Sequence, residues 1–510
     1  MTLEELVGQK LVLGIEGVRA TSEVKELFRR THAGGLILFR RNLASAEELR
    51  HLLRDLESSL GRKLLVMVDH EGGRVVHLGE GVTVFPDAQA LGNGGEVAWA
   101  RRQGEIEGAE LRRLGIDINL APVLDVLTKA RNPAIGTRSY GMDSERVGQI
   151  GRARAEGMQS RKLSACAKHF PGLGGALFDP HKDLPVIQKS WQAMKQTDLV
   201  PFVQAFEGGV DCVMSSHPIY SEFEPRRLPA TFSKRIIHDT LRLEFGFRGA
   251  VLTDDLRMGA ITKTVSLREA ATLSVGAGHD LLLICSDPKR QREVFESLVW
   301  AYKKGDLNSD ELEESVERIV HLKEKRKERF SEGKPVPEKD GDQTACAIAQ
   351  RGTKILQDGR GLLPLSSTSR FKHSLLAIFP DLAPIEKHFF IEPELLEPQE
   401  FLKRTFSRYG VSLTAVEKVA INPDAAERNG MKKLVESQDL VLFFCSDAHL
   451  FPGTRELLKT LQEAASPLAV VLMREPHDLE WIGPKTACVT AFGFRRCQIE
   501  AAVEKLFSTV

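Results

Sequence analysis

Along the first part of the chain the apolar positions come in short blocks. Eight near-continuous runs recur: LVLGIEG from Leu11, GLILF from Gly35, LLVMVD from Leu64, DINLAP from Asp117, SACAKHF from Ser164, DCVMSSH from Asp211, GAVLTDD from Gly249 and DLLLIC from Asp280. Each gives way to polar or glycine-bearing residues and then to a longer stretch of helical spacing. A strand buried on both faces has no polar side to show, so such runs alternating with helices predict a parallel sheet covered by helices. Eight units in about 320 residues fit a closed (β/α)8 barrel. The ionisable residues Asp69, Lys168, His169, His217 and Asp254 sit at the C-terminal ends of their runs. In a barrel those ends converge on the face that carries chemistry. An open doubly wound sheet would show the same alternation without gathering them so naturally.

From Lys323 to Gln343 the pattern breaks into KEKRKERFSEGKPVPEKDGDQ, charged and then Pro/Gly-bearing, with almost nothing to bury. This predicts a helix end running into an exposed linker. Alternation then resumes, with candidate strands Leu375–Phe379, Val411–Val416, Leu440–Cys445, Leu468–Met473 and Ala487–Phe492 and helical stretches such as Gly453–Ala465 and Gln498–Phe507. The predicted division is a barrel over 1–330, a linker over 331–345 and a smaller doubly wound α/β sandwich over 346–510. The second part has no GxGxxG and no GxxxxGK[ST] phosphate loop, and structural support is the expected role for it.

Composition narrows the partners. Lys+Arg and Asp+Glu are both 70 in 510 residues, which argues against binding nucleic acid or a membrane surface through bulk charge. The 42% hydrophobic and 27% charged contents are those of an ordinary globular chain. The seven cysteines form no CxxC pair or Cys/His cluster of zinc spacing, so they read as reduced, buried thiols. No metal or cofactor is expected. The N-terminus Met-Thr-Leu-Glu-Glu-Leu lacks the basic segment of a signal peptide, and no run approaches the roughly 18 apolar residues of a membrane span. A cytoplasmic location is the expectation.

Four segments carry candidate chemistry. In Asp69-His70-Glu71-Gly72-Gly73-Arg74, a carboxylate at a strand end can hold two neighbouring hydroxyls, and the paired glycines let backbone approach closely. Arg74 reads equally as a ligand donor or as the structural partner of an acid. Arg138, in the loop after strand four, can donate to a carbonyl or hydroxyl. Lys168-His169 ends strand five, and in the glycine-rich loop that follows Asp179 and His181 lie two residues apart, so a carboxylate could fix the tautomer of an imidazole and support its charged form. That pair is a candidate general acid/base. Asp254-Asp255 leaves a buried strand, where two acids are costly unless solvated, paired or used; one could be a nucleophile and the other a cap.

Taken together, GGLILFRRN, VDHEGGRV, NLAPVLDV, AIGTRSYG, KHFPG, DPHKDLP, MSSHPIYSE and VLTDDLRM occur in this order and resemble bacterial β-N-acetylglucosaminidases of glycoside hydrolase family 3, in the subgroup that recycles peptidoglycan fragments. The motifs span about residues 34–285, and the C-terminal part resembles the α/β sandwich of two-domain members. The resemblance implies a retaining mechanism in which Asp254 is the nucleophile and His181, oriented by Asp179, is the acid/base. Asp69, His77, Arg138, Lys168 and His169 would grip a terminal N-acetylglucosamine. The substrate implied is a carbohydrate, with no nucleic acid or membrane partner. Three positions depart from the family pattern: Leu173 where a histidine is usual, Pro180 in place of serine, and His77 in place of an arginine. A phosphorylase of the same subgroup, a β-glucosidase and a non-catalytic sugar-binding protein are the competing readings.

Overall fold

The computed structural model describes every residue except Gly95, Ala130, 326–337, Arg360, 366–373, His388, Ser466 and 509–510. It divides into two compact units. The first comprises Met1–Glu71, His77–Thr83 and Val97–Gly341, the second Gly72–Val76, Val84–Glu96 and Asp342–Val510. Much of the predicted linker, 331–345, lies outside the described residues; its end begins a helix, Glu338–Gly352.

The first unit is built on eight parallel strands: β1 (Leu11–Gly14), β2 (Gly35–Leu38), β3 (Leu65–Val68), β4 (Ile118–Asn119), β5 (Ser164–Phe170), β6 (Cys212–Ser215), β7 (Ala250–Thr253) and β8 (Leu282–Ile284). Each of the eight apolar runs supplies one. They pair in chain order from β1 to β7, and β8 pairs with β1. The last seam, β7 to β8, is joined by the bridge Leu252–Leu281 and by the bonds Thr253 N–Leu281 O (3.0 Å) and Leu256 N–Leu283 O (3.1 Å). The two-residue side-chain period explains why both faces are apolar. Val12, Ile37, Met67, Ile118, Cys166, Cys212, Leu252 and Leu283 fill the barrel interior. Their neighbours Leu13, Leu36, Val66, Ala165, Val213, Val251 and Leu282 face the helices. Three of the free cysteines (Cys166, Cys212 and Cys285) belong to the interior packing.

One helix crossing bears directly on the site. Val97–Arg113 and Ser144–Ser160 pack through glycine: a Cβ on Gly104 would lie 2.1 Å from Arg154 O, and one on Gly157 would lie 2.2 Å from Arg101 O. Backbone therefore meets backbone. Asp143 caps the second helix, accepting from the amides of Glu145 and Arg146. Between the two helices the fully buried Arg154 is held by both carboxylate oxygens of Glu107, at 2.9 and 2.7 Å.

The second unit is a six-stranded sheet of β9 (Lys354–Gln357), β10 (Leu375–Pro380), β11 (Ala415–Val419), β12 (Leu440–Cys445), β13 (Leu468–Leu472) and β14 (Ala487–Thr490), in the order β9-β14-β13-β12-β10-β11. Only β9 is antiparallel. Separate apolar clusters cover the two faces, as a doubly wound sheet requires. Two details differ from the sequence expectation. Strand β11 starts at Ala415, because Val411 and Leu413 spend their apolar side chains on the neighbouring cluster before the strand begins. Strand β9 is a short edge with two exposed residues, too polar to stand out as a run.

Candidate active site

The C-terminal ends of the barrel strands carry a dense polar cluster. Lys168, at the end of β5 and only 2% exposed, places Nζ 2.5 Å from Asp69 Oδ1 and 2.6 Å from Glu71 Oε1. Arg138 makes a two-pronged ion pair with Glu71, at 2.8 Å from Nε and 2.7 Å from the second nitrogen, and donates to Ala134 O at 2.9 Å. Glu71 is buried. Burial alone would raise its pKa, but Arg138 and Lys168 override it and hold the carboxyl well below the usual range. Both cations stay charged: burial opposes this, and the facing carboxylates win. Behind them Arg154 donates to Glu71 O at 2.8 Å, so the helix crossing holds the backbone that carries Glu71.

His169 lies deeper, with Nδ1 2.6 Å from Asp125 Oδ2. Asp125 is fully buried and also accepts the amide of Leu173 at 2.6 Å. Leu173 itself packs into the core, so its side chain offers no polar group there.

Asp179 and His181 are hydrogen-bonded: Asp179 Oδ1 accepts from His181 Nδ1 at 2.7 Å and from the His181 amide at 2.9 Å. The loop is tied to the residues after β7, since Gly259 N donates to His181 O at 3.2 Å and Ala260 N to Pro180 O at 3.0 Å. Even so, the imidazole is 66% exposed, enough to meet a substrate. Its bond to Asp179 raises the His181 pKa against partial burial, and the nearby negative charge of Asp254 adds to the rise. Asp179 falls to about 2, burial being outweighed by the bonds from His181.

Asp254 follows β7. Burial works against its ionisation, but the charges of His217, His169 and His181 outweigh it and lower its pKa. The amide of Asp255 holds its Oδ1 at 2.7 Å. Asp255 is occupied elsewhere, accepting from the amides of Arg257 and Cys285 at 3.1 and 3.3 Å. His217 is buried against Thr231 Oγ1 (2.7 Å) and Asp255 O (3.1 Å), and burial lowers its pKa. His77 packs edge-on against Phe39 at 5.6 Å, and burial lowers its pKa as well, making it a neutral donor or acceptor.

Asp69, His77, Arg138, Lys168, His169, Asp179, His181 and Asp254 all lie in the first unit: Asp254 acts electrostatically on the Asp179–His181 pair, and Asp69, Lys168, Glu71 and Arg138 form one chain of ion pairs. Arg74 is different: it belongs to the second unit, where its charge acts on Glu475. Glu71 and Asp125 are the groups that sequence reasoning passed over.

A barrel with carboxylates, histidines and cations on its C-terminal face is the architecture of a polar-substrate enzyme. Residues 2–322 match the glycosyl hydrolase family 3 N-terminal domain, and the chain belongs to that family; it is a glycoside hydrolase. It is similar to proteins named beta-hexosaminidase from Hydrogenovibrio crunogenus, with 35% identity over 58% of this chain and 86% of the relative, and from Thioalkalivibrio sulfidiphilus, with 36% identity over 56% and 84%. Among solved structures, a glycoside hydrolase family 3 beta-N-acetylglucosaminidase from Paenibacillus sp. str. FPU-7 superposes with a TM-score of 0.91 at 29% identity, covering 99% of this chain and 97% of that one.

Proposed function

We propose that the protein is an exo-acting, retaining β-N-acetylglucosaminidase that removes terminal non-reducing N-acetylglucosamine from peptidoglycan-derived fragments. The observation that carries this reading is an exposed imidazole, His181, bonded to Asp179 at 2.7 Å, in a loop tied by backbone bonds to the segment that follows Asp254. Relatives named beta-hexosaminidase and the Paenibacillus beta-N-acetylglucosaminidase support the sugar.

In the first step Asp254 attacks the anomeric carbon as His181 gives its Nε2 proton to the leaving oxygen. Asp179 keeps the other ring proton on Nδ1 and stabilises the imidazolium before transfer. In the second step neutral His181 takes a proton from water, which attacks the glycosyl ester and releases Asp254. Asp69, Arg138, Lys168 and His169 hold the sugar, with Glu71 setting Lys168 and Arg138 in place. His77 contributes a neutral contact.

The test is to incubate the protein with a fluorinated N-acetylglucosaminide that forms the ester but hydrolyses it slowly, then digest it and identify the labelled peptide by mass spectrometry. The label belongs on Asp254. A label elsewhere, or none while aryl N-acetylglucosaminide is still cleaved, overturns the mechanism. Parallel assays in phosphate and in an inert buffer separate hydrolysis from phosphorolysis, because neutral His181 would repel phosphate less than a carboxylate does. An aryl glucoside arm tests the sugar, and a comparison of N-acetylglucosaminyl-muramyl fragments with chitobiose tests the aglycone.

A further inference from the structure

The second unit holds a polar cluster that the hydrolase reaction does not use. It lies in the loops following β12 and β13, at the carboxyl ends of two neighbouring parallel strands. Asp447, His449 and Glu475 each bring one ligand-type atom within 4.8 Å of the others, the one such grouping among the described residues. Both carboxylates are only 6% exposed.

Asp478 prepares the histidine. Its Oδ1 accepts from His449 Nδ1 at 2.9 Å and from the His449 amide at 2.8 Å, and its Oδ2 accepts from the Ala448 amide at 2.7 Å. In the tautomer with the ring proton on Nδ1, Nε2 carries the lone pair that can coordinate. A carboxylate gripping the far nitrogen is how metal-binding imidazoles are oriented and made more basic.

Asp447 supplies the independent sign of a missing partner. Its Oδ2 takes Arg474 at 2.7 Å, yet its Oδ1 is buried and has no hydrogen-bond partner. A buried carboxylate oxygen that accepts no hydrogen bond loses its hydration without replacement and is costly to keep. Arg474 also reaches Glu475 Oε1 at 3.1 Å, so one guanidinium pairs with an oxygen of each acid and leaves Asp447 Oδ1 unpartnered.

We propose that Asp447, His449 and Glu475 form a divalent-cation site in the second unit, with zinc the ion that best fits one imidazole and two carboxylates. Zinc binds nitrogen and oxygen at about 2.0–2.2 Å, so tetrahedral ligands lie about 3.4 Å apart. The three side chains would close by rotamer adjustment of roughly an ångström, and water would complete the shell. Bound there, the ion would pin the loop after β12 to the loop after β13.

The test uses the full chain, stripped with chelator and titrated with Zn2+ while bound metal is counted by mass spectrometry. One equivalent should bind and raise the thermal midpoint. His449→Ala and Asp447→Asn should each weaken binding at least about tenfold. His181→Ala and Asp254→Asn should leave the equivalent intact, which separates this site from the hydrolase centre. Co2+ in place of Zn2+ should give visible d–d bands in the parent chain that disappear in His449→Ala. Circular dichroism checks that the variants are folded; if His449→Ala is not, Asp447→Asn decides. No bound equivalent in the parent chain, or affinity unchanged in the folded variants, overturns the proposal. Binding abolished by His181→Ala while His449→Ala binds normally also overturns it, by placing the ion elsewhere.

Discussion

Two Asp–His pairs at the site are made from the same kinds of atom at nearly the same distance, 2.7 Å for Asp179–His181 and 2.6 Å for Asp125–His169. They differ in everything around them. The first comes from two residues in one loop and presents an imidazole that is 66% exposed. The second joins residues 44 apart, and its histidine and acid are 5% and 0% exposed. A proton donor has to reach both substrate and water, which the exposed pair can do. A buried pair whose acid also holds the amide of Leu173 is fixed by the fold and suits holding a ligand. Geometry within a pair does not assign its role; access does.

The largest effect should come from breaking this difference at the histidines. His181→Ala should lower kcat/KM by about 10²–10⁴ on a substrate with a poor leaving group. With a nitrophenyl leaving group, which departs with little proton assistance, the loss should be much smaller. His169→Ala should instead raise KM with no such dependence on the leaving group. If the leaving-group dependence followed His169, the two roles would have to be exchanged.

The acids sharpen the contrast next. Asp125→Asn should cost roughly 2–3 kcal/mol in urea unfolding, because an amide cannot accept from both His169 and the Leu173 backbone without presenting a hydrogen to one of them. Asp179→Asn should leave the unfolding midpoint nearly unchanged and move the pH profile instead. In the parent protein His181 is raised above the ordinary imidazole value of about 6.5. It must be protonated to donate, so activity persists at low pH and falls as pH rises through that raised value. Removing the Asp179 bond lowers the His181 pKa, so the alkaline limb of kcat/KM should shift toward lower pH. An unmoved limb would mean that another group carries the proton.

The same contrast shows how much was legible in the sequence. Asp179 and His181 are neighbours in the chain, so spacing alone brought them together. Asp125–His169 needs two separate strands to be folded side by side. A clue did exist: Asp125 stands alone in the apolar run APVLDVL, and an acid there must be paired, the argument that singled out Asp254-Asp255. Glu71 was hidden by its neighbour Asp69, and its role appears only when Arg138 arrives from 67 residues away. The eight barrel strands were legible because burial on both faces leaves unbroken apolar runs. Strand β9 was not, and β11 was placed about four residues early, because edge strands with exposed or half-buried residues lack that pattern. Asp447, His449 and Glu475 come from two loops, and no spacing rule joins them.

The smallest expected effect tests whether access depends on how the exposed loop is tethered. A Cβ on Gly259 would lie 2.7 Å from both His181 O and Lys182 O, closer than side-chain carbon packs against backbone oxygen. Gly259→Ala must therefore displace the loop that carries His181, while Asp125–His169, which has no part in that contact, stays where it is. A shift of a few tenths of an ångström in a proton donor should lower kcat/KM several-fold, up to about tenfold, since misplacement by about an ångström costs roughly a hundredfold. The loss should again be greatest with poor leaving groups and should leave KM for an activated substrate nearly unchanged. A variant that lost activity equally on all leaving groups would show that Gly259 supports the sugar-holding side as well, and the separation between an accessible pair and a buried one would have to be redrawn.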